Sequence, residues 1–165
     1  MSVDTKKLAN LILYLAGHSK ISDLGLTKLY KLVFFSDVTH LRSHGSSITG
    51  SEYIKYPFGP VPSRGEKVLK KLAKDEAVEV KSTSLNEARD LRRFNVRQLK
   101  KPDMTCFSSE ELATIDSVVV RLGQMSAKDL SELSHAEPAW TYAEMMQKLD
   151  PELMMYGTEE DPKGL

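Results

Sequence analysis

Asp37 and His40 stand three residues apart in the most apolar stretch of the chain, and on a helix that spacing turns both side chains to one face. A carboxylate and an imidazole placed in this way are half of the kind of metal site that helical bundles build in their interior. Metal ligation needs further ligands around them, so the pair is assigned to a polar contact in the core or at the helix end near Ser43, and no metal is expected. Cys106 is the one cysteine. Paired with a distant histidine it could act as a nucleophile, but it lacks a local signature, and such thiols commonly serve as small hydrophobes. The phosphate loop G-x-x-x-x-G-K-[ST], the dinucleotide fingerprint G-x-G-x-x-G, the nucleophile elbow G-x-S-x-G and the zinc motif H-E-x-x-H are all missing. No catalytic residue and no cofactor are expected, and the chain is read as a binding protein rather than an enzyme.

Two groups of residues suit a binding role. Tyr53, Lys55, Tyr56 and Phe58 crowd beside Pro57, Pro60 and Pro62, and Arg92, Arg93 and Arg97 belong to a basic cluster with Arg89, Lys100 and Lys101. These seven aromatic and basic residues, Tyr53 to Phe58 and Arg92 to Arg97, are the candidate partner contacts. Cations on a hairpin that follows a helix are how a winged-helix protein places its wing on DNA. The helix before this hairpin offers Arg64, Lys67, Lys70, Lys71 and Lys74, side chains that contact phosphate more than they read bases. The same cations also suit an acidic protein partner. From Glu137 onward the chain is acidic, and such polarity fits a protein interface or a homo-oligomer formed head to tail. Met145, Met146, Met154 and Met155 lie near Trp140 and Tyr142, either as core or as an adaptable apolar surface.

The whole composition narrows the class. Lys+Arg total 23 and Asp+Glu 23, for a net charge of zero, which argues against a non-specific polyanion binder. A single cysteine excludes an internal disulfide framework and fits a reducing compartment. No apolar run approaches the roughly 18 residues that span a bilayer. The N-terminal segment is read as an amphipathic helix rather than a secretory signal, because Leu8, Leu11, Ile12 and Leu15 share one face. The expected setting is cytoplasmic, with no membrane partner. With 165 residues, 41% hydrophobic and 28% charged, one domain with a sizeable core is expected.

The elements follow from local signals. A first helix should run from Asp4 to Ala16 and stop at Gly17. A second, from Leu24 to Ser43, is capped by Ser22 or Asp23, ends at Gly45, and is apolar nearly all round, as a central buried strut must be. Ile48 to Tyr56 reads as extended. Tyr56 to Ser63 reads as a stiff proline connector, with Pro60 or Pro62 in the first turn of a third helix that reaches Lys74. Val78–Val80 and Phe94–Val96 predict a hairpin around a long polar loop, Lys81 to Leu91. Ser108 with Glu111 caps a fourth helix closed by Gly123, and Ser126 with Asp129 opens a fifth. A last helix is placed from Thr141 to Leu149. The fold class is mainly α: a single compact helical domain over residues 1–156 with a small β-hairpin, and an acidic, disordered tail over 157–165.

Three segments carry a resemblance. They are Lys28-Leu29-Tyr30-Lys31-Leu32-Val33-Phe34-Phe35-Ser36-Asp37 running on to His40-Leu41, then Tyr56-Pro57-Phe58-Gly59-Pro60-Val61-Pro62, then Leu130-Ser131-Glu132-Leu133-Ser134-His135 with Pro138-Ala139-Trp140. In order and spacing they resemble the Panacea (SocA-like) antitoxin domain of bacterial and phage toxin–antitoxin pairs, over roughly Thr5 to Met146. The common pattern of the middle segment is closer to aromatic-Gly-Pro without the inserted proline. The resemblance implies a mainly helical domain that binds and neutralises a co-encoded toxin by direct contact. Some members act as adaptors that hand the toxin to a protease, and others carry an added DNA-binding domain. Asp37, His40, Gly59, Pro60, His135 and Trp140 match the family's motifs and are assigned a structural role. Asp37, His40 and His135 are expected to form one buried polar cluster. The alternative functions carried forward are a winged-helix-like autorepressor and a proteolytic adaptor.

Overall fold

Thirteen consecutive residues, Lys28 to His40, are buried within one helix. That helix, α2 (Leu26–His44), is the axis on which the rest is hung. The computed structural model describes residues 2–86, 88 and 91–157. In chain order the other elements are α1 (Thr5–Ala16), β1 (Tyr53–Tyr56), β2 (Gly59–Pro62), α3 (Gly65–Lys74), β3 (Val78–Asn86), β4 (Leu91–Gln98), α4 (Ser109–Leu122), α5 (Ala127–His135) and α6 (Pro138–Tyr142). Helices α1, α4 and α5 and strand β2 pack around α2, so the fold is mainly α with two small antiparallel hairpins, β1–β2 and β3–β4. Among the described residues no helix is long and apolar enough to cross a membrane.

The packing explains the apolar code of α2. Leu29, Leu32, Val33, Phe34, Phe35 and Val38 have no exposed surface, and Leu8, Leu11 and Ile12 of α1 and Ile115 and Val118 of α4 meet them in one cluster. Each such side chain contributes roughly 2 kcal/mol on leaving water. Phe34 stands edge-on to both Phe35 and Tyr53, with ring centroids 5.3 and 5.1 Å apart, which ties β1 to α2. Local caps set the helix ends. Asp4 accepts the Lys7 amide at α1, Gly45 closes α2 with φ of 82°, and Ser108 and Glu111 form a reciprocal capping box at α4.

Four expectations are corrected. The N-cap of α2 is Gly25, with no side-chain cap; Asp23 is instead held by Arg93 at 2.6 Å. The proline connector is a strand: Pro60 and Pro62 lie in β2, opposite Lys55 and Tyr53 of β1, and α3 starts only at Gly65. Prolines are tolerated there because a two-stranded hairpin leaves an edge without ladder partners. The polar segment Lys81 to Asn86 is strand rather than loop, paired with β4 through Asn86↔Leu91.

The predicted helix from Thr141 to Leu149 ends at Tyr142, and Met146 turns with φ of 68°. Residues 146–149 then run along β1: Met146 N–H donates to the Lys55 carbonyl at 2.8 Å, Lys55 N–H to Gln147 at 2.9 Å, and Leu149 N–H to Tyr53 at 2.8 Å. Of the tail assigned as disordered, 157–165, residues 158–165 lie outside the described residues, as does Arg89.

Candidate functional site

Asp37 is fully buried, and its carboxylate gathers the loop that follows α2. Oδ1 accepts the amides of Ile48 at 3.0 Å and Thr49 at 2.8 Å. Oδ2 accepts the Thr49 and Tyr53 hydroxyls, both at 2.5 Å. Burial raises this carboxyl above the ordinary aspartate range, against the downward pull of its four donors. The chain is thus pinned at the point where it enters β1.

The expected cluster of Asp37, His40 and His135 does not form. His40 turns away to the Ser46 carbonyl, 2.6 Å from its Nδ1, and stacks on His44 at 4.3 Å. His135 stacks on Trp140 at 4.1 Å, where the Pro57 carbonyl also meets it. Glu132 and His135 on α5 repeat the acid–histidine spacing of Asp37 and His40, a second pair that the sequence reading passes over. The two pairs stay separate, and among the described residues no three His, Cys, Asp or Glu side chains are grouped to hold a metal. Cys106 lies apart from them with its thiol pushed up by burial and by Asp103, the opposite of what a nucleophile needs.

His135 and Trp140 serve the β1–β2 turn. The Trp140 indole N–H donates to the Tyr56 carbonyl at 3.1 Å, and the Lys55 ammonium sits 4.0 Å over the same ring. On the other side of the turn, Gly59 takes φ of 119° and lies directly against Lys31 and Ser134. Lys31 is 1% exposed, and its Nζ donates to the Pro60 carbonyl at 2.6 Å. Burial alone brings its pKa down to about 7. Five motif residues (Lys31, Gly59, Pro60, His135 and Trp140) therefore converge on one turn.

What this turn presents is an apolar groove of about 690 Å³, walled by α2, α3, the β1–β2 hairpin and the β3–β4 hairpin. Tyr56, Phe58 and Phe94 line it while 37%, 69% and 42% exposed. Outside the groove lining, Tyr142, Met145 and Met146 are exposed as well. Exposed aromatics gathered on one concave face mark a surface made for covering.

The chain matches the family model described as antitoxin SocA-like, Panacea domain, over residues 29–141. It belongs to that family. The match runs from the second residue of the α2 motif to just past Trp140, and takes in the whole of both hairpins. No curated protein and no solved structure matches the chain significantly.

In this Panacea domain the seven proposed contacts occupy different environments. Tyr56 and Phe58 are outward and line the groove, whereas Tyr53 is an interior residue that fixes β1. Lys55 is half-buried, bonded to the Ala143 carbonyl at 3.1 Å. Arg93 is bound to Asp23, and Arg97 pairs across the hairpin with Glu79 at 3.3 Å. Arg92 donates to Ser82 at 3.1 Å. The basic hairpin is thus partly neutralised within the domain. Phe94 and Lys31 belong to the groove but were not singled out by sequence. Phe94 reads there only as a hairpin strand residue, and Lys31 as one of many helical lysines. The signal for Lys31 was its place among apolar residues on every face of α2.

Proposed function

We propose that this Panacea-domain protein is an antitoxin that neutralises a toxin by direct, non-enzymatic contact in the cytoplasm, with the Tyr56–Phe58 groove as the docking surface. Three exposed aromatic residues on one apolar concavity support this reading, because large, rigid rings are the usual anchors of protein interfaces. Family membership supplies the class of partner. The internal pairing of Arg93 and Arg97 favours a protein partner over DNA, since binding through phosphates needs several free cations.

The test is co-expression with the product of the neighbouring gene, scoring growth rescue and co-purification for wild type and Phe58→Ser. Rescue with a stable complex, lost in the variant at unchanged melting temperature, is the expected result. Rescue without a complex would overturn direct occlusion in favour of proteolytic hand-off or repression. Steeply salt-sensitive binding to operator DNA would point to the autorepressor.

A further inference from the structure

Each strand of the two hairpins has one outer edge, and the chain itself engages every one but that of β3. The edge of β1 pairs with residues 146–149. That of β2 lacks amides at Pro60 and Pro62, and its Pro60 carbonyl is taken by Lys31. At β4, Val96 N–H donates to the Leu24 carbonyl at 3.1 Å, and Asn95 bridges to Gly25. Residues opposite each other in an antiparallel ladder either bond to each other or both turn outward. Val96 turns outward, so Val80 opposite it does too, and Ser82 and Ser84 follow at the strand period of two. Among the described residues the backbone amides and carbonyls of these residues have no partner. Lys81 to Asn86 are exposed, and no proline interrupts Val78 to Asn86. A bare edge of this kind is a template for another strand. We propose that the outer edge of β3, from Val80 to Ser84, receives an extended acidic segment of the toxin, which adds a third strand to the β3–β4 hairpin beside the groove. This deepens the antitoxin reading and rests on it.

The charge of the hairpin selects this occupant. Among its described residues Lys81, Arg92, Arg93 and Arg97 stand against Glu79. Lys81 is 74% exposed and only 3.8 Å from Glu79, which Arg97 also engages. A second copy of the chain would bring these cations together across the shared edge, so Lys81 opposes self-pairing. A carboxylate beside Lys81 favours the strand that carries it. The groove supplies the apolar half of the recognition. Val80 and Phe94 line it, and Phe94 stands opposite Ser82, so Val80, Ser82 and Ser84 share the groove face. Residues of an added strand that lie opposite them send their side chains to that same face and cover Val80 and Phe94. The residues between lie beside Lys81 and Thr83. The fitting segment therefore alternates apolar with acidic side chains; main-chain hydrogen bonds supply its affinity, and the groove and Lys81 supply the choice.

The experiment uses the full chain and the product of the neighbouring gene. Amide hydrogen exchange is followed by NMR in the free chain and in the complex, beside the Kd of wild type, Ser82→Pro, Ser82→Ala and Lys81→Glu. Ser82→Pro deletes one outward amide without touching the β3–β4 ladder, a change that edge strands accept. In the complex the amides of Val80, Ser82 and Ser84 are expected to exchange about tenfold or more slowly than in the free chain. Ser82→Pro should bind about tenfold more weakly, and Ser82→Ala, which keeps the amide, within about twofold of wild type. Lys81→Glu should weaken binding about threefold or more. The exchange of the wild-type complex decides the matter even where Ser82→Pro folds poorly. A complex in which these amides exchange as in the free chain, or a well-folded Ser82→Pro with wild-type affinity, overturns strand addition and leaves the antitoxin reading standing. Protection of the same amides in the chain alone, rising with its concentration, makes the occupant a second copy and overturns the proposal. Undiminished binding by Lys81→Glu overturns the acidic character of the segment. Failure of the wild-type chain to form any complex overturns both readings.

Discussion

The Tyr53 hydroxyl donates to Asp37 Oδ2 at 2.5 Å across a separation of 16 residues, inside a region where both side chains are buried. This one contact joins the central helix to the first strand of the groove hairpin. Tyr53→Phe is expected to cost about 1–3 kcal/mol, the range for a hydrogen bond to a buried charged group. Asp37→Ala, which strands two amides and two hydroxyls, should cost about 3 kcal/mol or more, and should weaken toxin binding along with stability because β1 carries Tyr56. Urea denaturation of the single and double variants measures the coupling. Additive losses would show that the two residues act separately, and lost binding at unchanged stability would show that Asp37 is a contact residue rather than a strut.

Gly59 sits at φ of 119°, and a Cβ there would lie 2.4 Å from both Lys31 Cε and Ser134 Oγ. Gly59→Ala should destabilise the domain by about 2–4 kcal/mol, from backbone strain and overpacking together. Thermal and urea unfolding read this directly. A loss below 1 kcal/mol would mean that the turn can shift off α2.

His135 has its pKa lowered by burial first and by the nearby Lys31 and Lys55 charges, against the pull of the Pro57 carbonyl. The unfolded histidine therefore takes up its proton before the folded one as pH falls below about 6.5, and stability declines across that interval. Denaturation at pH 7.5 and 5 should show His135→Phe losing less stability on acidification than wild type. The only tryptophan, Trp140, is stacked on His135, so its fluorescence follows the same titration. A signal that does not move between pH 7.5 and 4 would contradict the assignment.

Glu111 joins two helices: it receives the Lys7 ammonium at 2.8 and 3.1 Å and the Ser108 amide at 2.8 Å. Burial pushes its carboxyl up, but Lys7 and Ser108 together hold it below the ordinary glutamate value. Its contribution is thus complete above the unfolded pKa and is lost as pH falls through the folded one. Glu111→Gln should cost about 1–3 kcal/mol at pH 7 and little at pH 3, as followed by urea unfolding at both pH values.

Local chemistry made much of the fold legible. Asp4, Gly45 and the Ser108–Glu111 pair mark helix ends because each acts within one turn of chain. The all-round apolar pattern of α2 announced its burial. Long-range pairing was harder to see. Met145, Met146 and Leu149 have helical spacing, yet residues 146–149 follow the edge of β1, made some ninety residues earlier. Pro60 and Pro62 argued against a strand when judged by propensity alone, but a two-stranded hairpin tolerates them. At the site, Tyr56 and Phe58 were readable as exposed aromatics beside prolines. Lys31 was not, because its meaning comes from Gly59 and Pro60 closing over it in space.

The pairing of residues 146–149 with β1 makes the domain a judge of its own length. Tyr53 and Lys55 obtain their outer backbone partners from a part of the chain synthesised long after them. A product cut short before Met146 would carry the groove residues but leave β1 as a bare, pairing-prone edge. Truncated copies would thus be sticky and poorly formed rather than half-active, and the proposed docking face would be complete only on a chain translated through Leu149.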